Sequence, residues 1–359
     1  MPTSGVQPID LHALLRFDRK AIAAALNLLE DRRAERQEHA LAVLDDLAGL
    51  PAAAQVVGIT GPPGVGKSSL IARLIARLIA RAVQAEHRLG VVAVDPSSKV
   101  SGGALLGDRS RMQLPPAATV YARSFAARDR LGGLSREAFL AVFLLRHICD
   151  MVLVETVGVG QSETDIANIA DSVVLVVQPF SGDLLQFIKA GVMEIPDILA
   201  VNKADDAALA DKAMAEVRAA LATRGHVSSS QASVDTFPLA ESGSDEGGWS
   251  PPLVAVSALS NLNLDRLEAA IAEHRRHVQA DGRLVSRRAA QEIAWAVGEL
   301  RYELGRAGLA AAGGPDGVAA RWMQQPGRSP ARKLANLLAA VGSIPLRPPT
   351  GPDAPGPGR

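Results

Sequence analysis

The chain has 359 residues, 48% of them hydrophobic, which suits one large domain with appendages or two domains. Lysine plus arginine and aspartate plus glutamate number 38 each, and this balance argues against a nucleic-acid or anionic-membrane partner, since both usually leave a basic footprint. A single cysteine, Cys149, excludes an internal disulfide, and with neither a signal-like N-terminus nor a membrane-length apolar run we expect a cytoplasmic protein.

The predicted elements begin with residues 10–50, where apolar side chains recur at helical spacing among charged ones. Helix-like stretches then alternate with six short apolar runs, at 56–59, 90–94, 151–154, 172–177, 198–201 and 253–256. Continuous apolar strands alternating with helices predict an α/β fold: a mostly parallel sheet covered by helices on both faces. Such a sheet binds ligands at the carboxyl ends of its strands.

The last third of the chain departs from this alternation. Residues 226–252 cluster serine, glycine and acidic side chains, which indicates a long surface loop. Helical patterns resume after Asn263, and the Pro/Gly-rich tail is predicted to be disordered. The predicted division is an N-terminal helical segment (1–50), a nucleotide-binding domain (51–283), a helical segment (284–344) and the tail (345–359).

A glycine-rich motif at residues 61–68, Gly-Pro-Pro-Gly-Val-Gly-Lys-Ser, lies between the first predicted strand and a helix. Its glycines let backbone N–H groups turn inward around an anion, and the helix start adds its positive dipole end. The Lys67 side chain can reach the β- and γ-phosphates of a nucleotide, and the Ser68 hydroxyl can bind magnesium. The motif therefore predicts a P-loop NTPase.

Acidic residues after two further strands suggest the rest of a magnesium site. Asp95 ends the second run, Asp108 lies in a glycine-rich stretch beyond it, and Glu155 ends the third run at the Walker B position. Gly158 could bring a backbone N–H to the γ-phosphate. Val159 follows where Ras-type proteins have a water-orienting glutamine, so we expect slow intrinsic hydrolysis.

The motif after the fifth run identifies the base. It reads Asn202-Lys203-Ala204-Asp205, and an aspartate carboxylate can accept two hydrogen bonds from guanine that adenine cannot donate. Ser257, Ala258 and Leu259 follow the last strand and can close the base pocket with backbone N–H groups. The ordered combination favours a GTPase over an ATPase.

These motifs, above all Glu-Thr-Val-Gly-Val-Gly-Gln-Ser-Glu at 155–163, closely resemble the methylmalonyl-CoA mutase-associated GTPases of the MeaB/ArgK type. The resemblance implies a homodimeric chaperone of an adenosylcobalamin-dependent acyl-CoA mutase, which gates cofactor loading and protects or reactivates the mutase. It assigns the helices after about residue 284 to a dimerisation arm.

The resemblance also assigns site residues. Magnesium would be held by Ser68, Asp95, Asp108 and Glu155, and catalysis assigned to Lys67, Asp108 and Glu155. The predicted GTP/GDP contacts are Gly61, Pro62, Pro63, Gly64, Val65, Gly66, Lys67, Ser68, Ser69, Gly158, Asn202, Lys203, Asp205, Ser257, Ala258 and Leu259.

Two alternatives stay open on sequence alone. A metallochaperone GTPase for nickel enzymes would show cysteine or histidine clusters near the nucleotide, and the seven histidines lack metal-ligand spacing. A kinase acting on a transport protein would need ATP, against which Asp205 argues. Trp295, Leu300 and Tyr302 are interpreted as packing residues, and the identity of the mutase is not encoded in any motif.

Overall fold

One parallel sheet organises the structure, a computed structural model that describes residues 8–81, 87–95, 119–126, 134–156, 165–179, 196–224 and 249–343. Its strands are β1 (Gln55–Thr60), β2 (Leu89–Asp95), β3 (Val120–Ala126), β4 (Met151–Glu155), β5 (Ser172–Val177), β6 (Ile198–Val201) and β7 (Leu253–Ala255). They are ordered β3-β2-β4-β1-β5-β6-β7, and every pairing is parallel. The predicted α/β class is confirmed.

Helices cover the sheet and extend beyond it at the C-terminal end. They are α1 (Leu11–Leu15), α2 (Arg19–Glu30), α3 (Ala34–Ala48), α4 (Lys67–Arg81), α5 (Arg136–Ile148), α6 (Ala207–Arg224), α7 (Leu264–Gln279), α8 (Arg283–Ala311), α9 (Gly314–Trp322) and α10 (Pro330–Gly342). A short 3₁₀ helix, Ile166–Asn168, precedes β5. Within the described residues, no helix is both long and apolar enough to cross a membrane.

The six predicted strands are present, and their burial explains why they were recognisable. Every residue of β1, β5 and β6 is buried, as expected for central parallel strands covered on both faces. Strand β3 was missed. It lies at the sheet edge, and its sequence Val-Tyr-Ala-Arg-Ser-Phe-Ala interrupts the apolar run with half-buried Arg123 and Ser124. Because this edge strand is only partly buried, it needs no continuous apolar sequence.

Two large cores lie on opposite faces of the sheet. Helices α4 and α7 fill one face through Leu70, Ile71, Leu74 and Leu267. The other face is covered by α5, the N-terminal helices and the C-terminal helices in one continuous core. Helix α6 packs a smaller cluster against β5 and β6. Because α4 follows β1 and α7 follows β7, two parallel strands of one sheet, the segments that begin each helix lie at the same end of the sheet.

The C-terminal helices belong to the core of the same chain. Trp295 and Leu300 of α8 are buried with Trp322 of α9 and Leu334 of α10 against the N-terminal helices. Tyr302, by contrast, is 51% exposed. Cys149 is buried, as expected for a cysteine beside a strand, and burial raises the pKa of its thiol.

Candidate nucleotide-binding site

The loop between β1 and α4 has a backbone that only glycine tolerates. Gly61, Gly64 and Gly66 all have positive φ, at 143°, 80° and 90°. A Cβ on Gly61 would lie 2.1 Å from the carbonyl oxygen of Val176 in β5. The loop is therefore pressed against the neighbouring strand, and α4 starts directly after it at Lys67.

Polar groups meet where β1 and β4 end. The Ser68 hydroxyl donates to a Glu155 carboxylate oxygen at 2.5 Å. The buried Lys67 ammonium donates to the carbonyls of Gly61 at 2.8 Å and Pro62 at 3.0 Å. Hydroxyl and carboxylate oxygens side by side are the hard ligands that magnesium prefers. This pair fits a magnesium ion beside the phosphate loop.

Other predicted magnesium and phosphate residues lie wholly or partly outside the described residues. The backbone of Asp95 ends β2, but its side chain is not described. Asp108, Gly158 and Val159 are outside the described ranges. Within those ranges, no group of three or more His, Cys, Asp or Glu could hold a metal ion.

Asn202 joins the phosphate loop to the last predicted motif. Its amide nitrogen donates to the carbonyl of Val65 at 2.7 Å, and its amide oxygen accepts from the N–H of Ala258 at 3.1 Å. The neighbouring Lys203 ammonium donates to the carbonyl of Gly64 at 2.7 Å. These hydrogen bonds span 137, 56 and 139 residues of the sequence, so they fix three distant segments together. Asn202 is buried, which makes its two hydrogen bonds hard to replace by water.

Asp205 lies at the exposed side of this junction. The Ser257 hydroxyl donates to its carboxylate at 2.7 Å. Hydrogen bonds from Ser257 and Ser260 hold the pKa of Asp205 below its usual value, so the carboxylate is ionised at neutral pH. Leu259 is 81% exposed beside it. An ionised, accessible carboxylate can accept hydrogen bonds from a base.

The structure also brings together residues that sequence reasoning missed. The Thr156 hydroxyl donates to the Thr60 hydroxyl at 3.0 Å, joining the ends of β4 and β1. Arg73, on α4, donates to the carbonyl of Ala258 at 3.1 Å. Neither pair has a local pattern, because its members are 96 and 185 residues apart. His274 makes buried polar contacts instead of a metal site, with Ser172 and Asp197.

A parallel sheet with a glycine-rich loop between its central strand and a helix defines the class of P-loop nucleotide hydrolases. The same fold is found in a solved structure described as LAO/AO transport system kinase, with a TM-score of 0.59, 24% identity and coverage of 91% of this chain and 96% of that one.

The sequence comparisons define the group within that class. Residues 22–310 match the family described as methylmalonyl Co-A mutase-associated GTPase MeaB, and the chain belongs to this family. A protein of Caulobacter vibrioides is 39% identical over 296 residues, covering 82% of this chain and 84% of its own. The GTPase ArgK of Escherichia coli is 32% identical over 287 residues, covering 79% and 81%. The protein is accordingly a GTPase.

Proposed function

We propose that this GTPase is a chaperone of an adenosylcobalamin-dependent acyl-CoA mutase of the methylmalonyl-CoA type, gating cofactor loading and protecting or reactivating the mutase. The family description supports the class of partner. The observation that carries the nucleotide-binding part of the proposal is the junction at Asn202, since Asn202 binds Val65 of the phosphate loop and Ala258 of the last motif at once. One continuous site can then hold a whole nucleotide.

Different residues are proposed to bind the phosphates and the base of the nucleotide. The phosphates would lie in the loop at 61–66 and on the N–H groups of Ser68 and Ser69 at the start of α4, where the helix dipole favours an anion. Lys67 would exchange its loop carbonyls for phosphate oxygens. Asp205 would accept the guanine hydrogen bonds, and the N–H groups near Ser257, Ala258 and Leu259 would close the pocket.

Magnesium fits the oxygen pair formed by Ser68 and Glu155. We assign Asp95 and Asp108 to the same ion from their motifs. When bound, the ion would supply charge neutralisation on the β- and γ-phosphates. Of the proposed catalytic residues, Lys67 would stabilise negative charge on the phosphates. Glu155 and Asp108 would bind the magnesium ion.

Hydrolysis is proposed to be slow until a partner binds. Val159, next to Gly158, has no side-chain group to orient water, and no catalytic role is assigned to Gln161. A mutase could then supply the missing acceleration, so that the GTP state lasts until the partner is engaged. We also propose a homodimer through the helical segment 284–344, which includes α8 with its exposed Tyr302.

The alternatives make different predictions. A metallochaperone for nickel enzymes would bind transition metal through cysteine or histidine ligands, and a kinase of a transport protein would transfer phosphate from ATP. Asp205 favours guanine over adenine, which argues against the kinase. The described residues contain no histidine or cysteine cluster suited to a metal, which gives the metallochaperone no support.

The decisive experiment co-purifies the full chain with candidate adenosylcobalamin-dependent mutases and measures the GTPase rate with and without each. We expect one mutase to bind and raise the rate at least tenfold. Absence of both effects for every mutase would refute the chaperone proposal. Asp205→Asn serves as the control for the base: it should weaken GTP binding sharply, and unchanged affinity would refute the guanine assignment alone.

A further inference from the structure

The loop after β7 is held in one shape by its own hydrogen bonds. We call residues 257–262 the base loop. The N–H of Ser257 donates to the carbonyl of Leu262, and the N–H of Leu262 donates to the carbonyl of Ser257, both at 3.1 Å. The Ser257 hydroxyl accepts from the N–H groups of Leu259 and Ser260 at 3.1 Å. Arg73 of α4 binds this loop from the neighbouring helix.

Both ends of the Ala258 residue are fixed from outside the base loop. Its N–H donates to Asn202, and its carbonyl accepts from the Nε of Arg73 at 3.1 Å. In a trans peptide the carbonyl of one residue and the N–H of the next point in opposite directions. Holding the Ala258 carbonyl toward Arg73 therefore fixes the direction of the Leu259 N–H.

The Leu259 N–H is linked through hydrogen bonds to the carboxylate that is proposed to bind guanine. The Leu259 N–H donates to the Ser257 hydroxyl, and the same hydroxyl donates to Asp205 at 2.7 Å. A chain of hydrogen bonds thus runs from Arg73 through the Ala258–Leu259 peptide and Ser257 to Asp205. Hydrogen bonds in such chains polarise one another, so the first donor influences the last acceptor.

Helix α4 is held where Arg73 can make this contact. One turn further along, Arg77 donates to Glu268 of α7 at 2.6 Å, which ties the two helices together. Helix α4 also begins with Lys67 and Ser68, the proposed phosphate residues. A single rigid helix therefore spans the phosphate end and the base end of the site.

We propose that Arg73 is a positioning residue for guanine recognition, holding the Ala258–Leu259 peptide so that Ser257 orients the Asp205 carboxylate. The proposal rests on the proposed assignment of Asp205 to guanine. It predicts that loss of Arg73 harms base selection in particular, and not nucleotide binding in general.

The test measures the Kd values of GDP and of IDP, whose base lacks the 2-amino group, for the full-length wild type and Arg73→Ala. We expect Arg73→Ala to weaken GDP binding about fivefold and to lower the preference for GDP over IDP about threefold. Equal weakening of GDP and IDP, or no weakening of either, would overturn the proposal. Because Arg73 is exposed, the variant should fold normally.

Two further variants separate the possible failures. Arg276→Ala is the matched control, since this exposed arginine lies about 18 Å along α7 from Leu264, at 1.5 Å per residue, and should leave both Kd values unchanged. Asp205→Asn tests the base assignment by itself. If Asp205→Asn weakens GDP binding while Arg73→Ala leaves the GDP/IDP preference intact, the role of Arg73 is refuted and the guanine assignment survives.

Discussion

At the scale of single residues, Gly66 is the point where the phosphate loop leaves no room for a side chain. Its φ is +90°, and an added Cβ would lie 2.6 Å from the Asn202 amide nitrogen. That nitrogen donates to Val65, so displacing it also breaks the junction between the phosphate loop and the base loop. One methyl group here disturbs two parts of the site.

Gly66→Ala should therefore weaken GDP binding at least tenfold and lower the free energy of unfolding by about 1–3 kcal/mol. Calorimetric titration and chemical denaturation would measure the two effects. Gly298→Ala is the matched control, because an added Cβ there meets open space inside α8 and alanine favours the helix by about 0.5–1 kcal/mol. A Gly66→Ala variant that bound GDP normally would contradict this account of the loop.

His147 gives the fold a dependence on pH. Burial, together with the positive charges of Arg146 and Arg288, lowers the pKa of His147 from 6.5 to about 4, although its Nδ1 contacts the carbonyl of Phe143 at 2.7 Å. The unfolded chain therefore binds a proton at this histidine before the folded chain does. The contribution of neutral His147 to the free energy of unfolding is fully present above pH 6.5, and it is lost as the pH falls toward 4.

Replacing His147 with glutamine should flatten this part of the pH profile. Between pH 7 and pH 4 the free energy of unfolding of the wild type should fall by about 3 kcal/mol more than that of His147→Gln. Urea denaturation at a series of pH values measures the free energy of unfolding of both proteins. Because both have the same carboxylates, the difference between the two values isolates the effect of His147. Parallel profiles would show that His147 does not titrate as described.

At the scale of elements, the first turns of α8 fasten the C-terminal helices to the sheet. Arg288 donates to both carboxylate oxygens of Asp171, at 2.8 and 2.7 Å, and to the carbonyls of Ala52 and Ala54. Asp171 in turn accepts from the N–H of Val56 in β1. One buried ion pair therefore joins α8 to the strand that leads into the phosphate loop.

The same face of α8 makes three further connections. Arg287 pairs with Asp197, just before β6. The Gln291 amide donates to the carbonyls of Ala167 and Ala170 at 2.8 and 2.7 Å, next to the 3₁₀ helix. Glu292 accepts from Arg146 of α5. These contacts hold the starts of several strands, at the end of the sheet opposite the nucleotide residues.

Removing Arg288 should be costly because Asp171, 1% exposed, would keep a buried charge without its ion-pair partner. We expect Arg288→Met to lower the free energy of unfolding by about 3–5 kcal/mol. The control is Arg276→Met, on the exposed face of α7, where a change within about 0.5 kcal/mol is expected. Equal denaturation midpoints for the two variants would argue against the ion pair as a stabilising link.

These elements also show what the sequence could reveal. Strands β1, β5 and β6 are buried on both faces, so a continuous apolar run was sufficient to find them. Edge strand β3 carries charge within the strand and has no such signal. The contacts of Arg288 and Gln291 join residues more than 100 positions apart, and a helical sequence pattern does not state which distant carbonyl an arginine or glutamine will meet.

At the scale of the whole molecule, the N-terminal and C-terminal helices that the structure describes share one core. Trp295 stacks on Phe139 of α5, with ring centroids 4.1 Å apart. Asp45 of α3 accepts from the backbone N–H and hydroxyl of Ser329, which caps α10, and from Arg332. The N-terminal and C-terminal helical segments that the sequence predicts as separate parts therefore pack against each other.

A shared core predicts a single cooperative unfolding transition. Trp295 and Trp322 are both buried in it, so in a Trp249→Phe variant, which removes the third tryptophan, fluorescence should report the C-terminal helices while far-ultraviolet circular dichroism reports the whole chain. We expect the two signals to give coincident midpoints in urea. Loss of tryptophan fluorescence at clearly lower urea would show that the C-terminal helices unfold independently.

Helix α2 contacts edge strand β3, and these contacts bear on whether other molecules can pair with that edge. Arg19 of α2 donates to the carbonyl of Val120 at 2.5 Å, and Arg123 of β3 pairs with Glu30 of α2. This edge of the sheet thus has a carbonyl already bound and a charge on the strand, while the opposite edge, β7, is three residues long. Unprotected sheet edges recruit strands from other molecules and start aggregates. We therefore expect α2, which binds a carbonyl of β3 and pairs with its charge, to oppose recruitment of foreign strands at this edge, in addition to its place in the core.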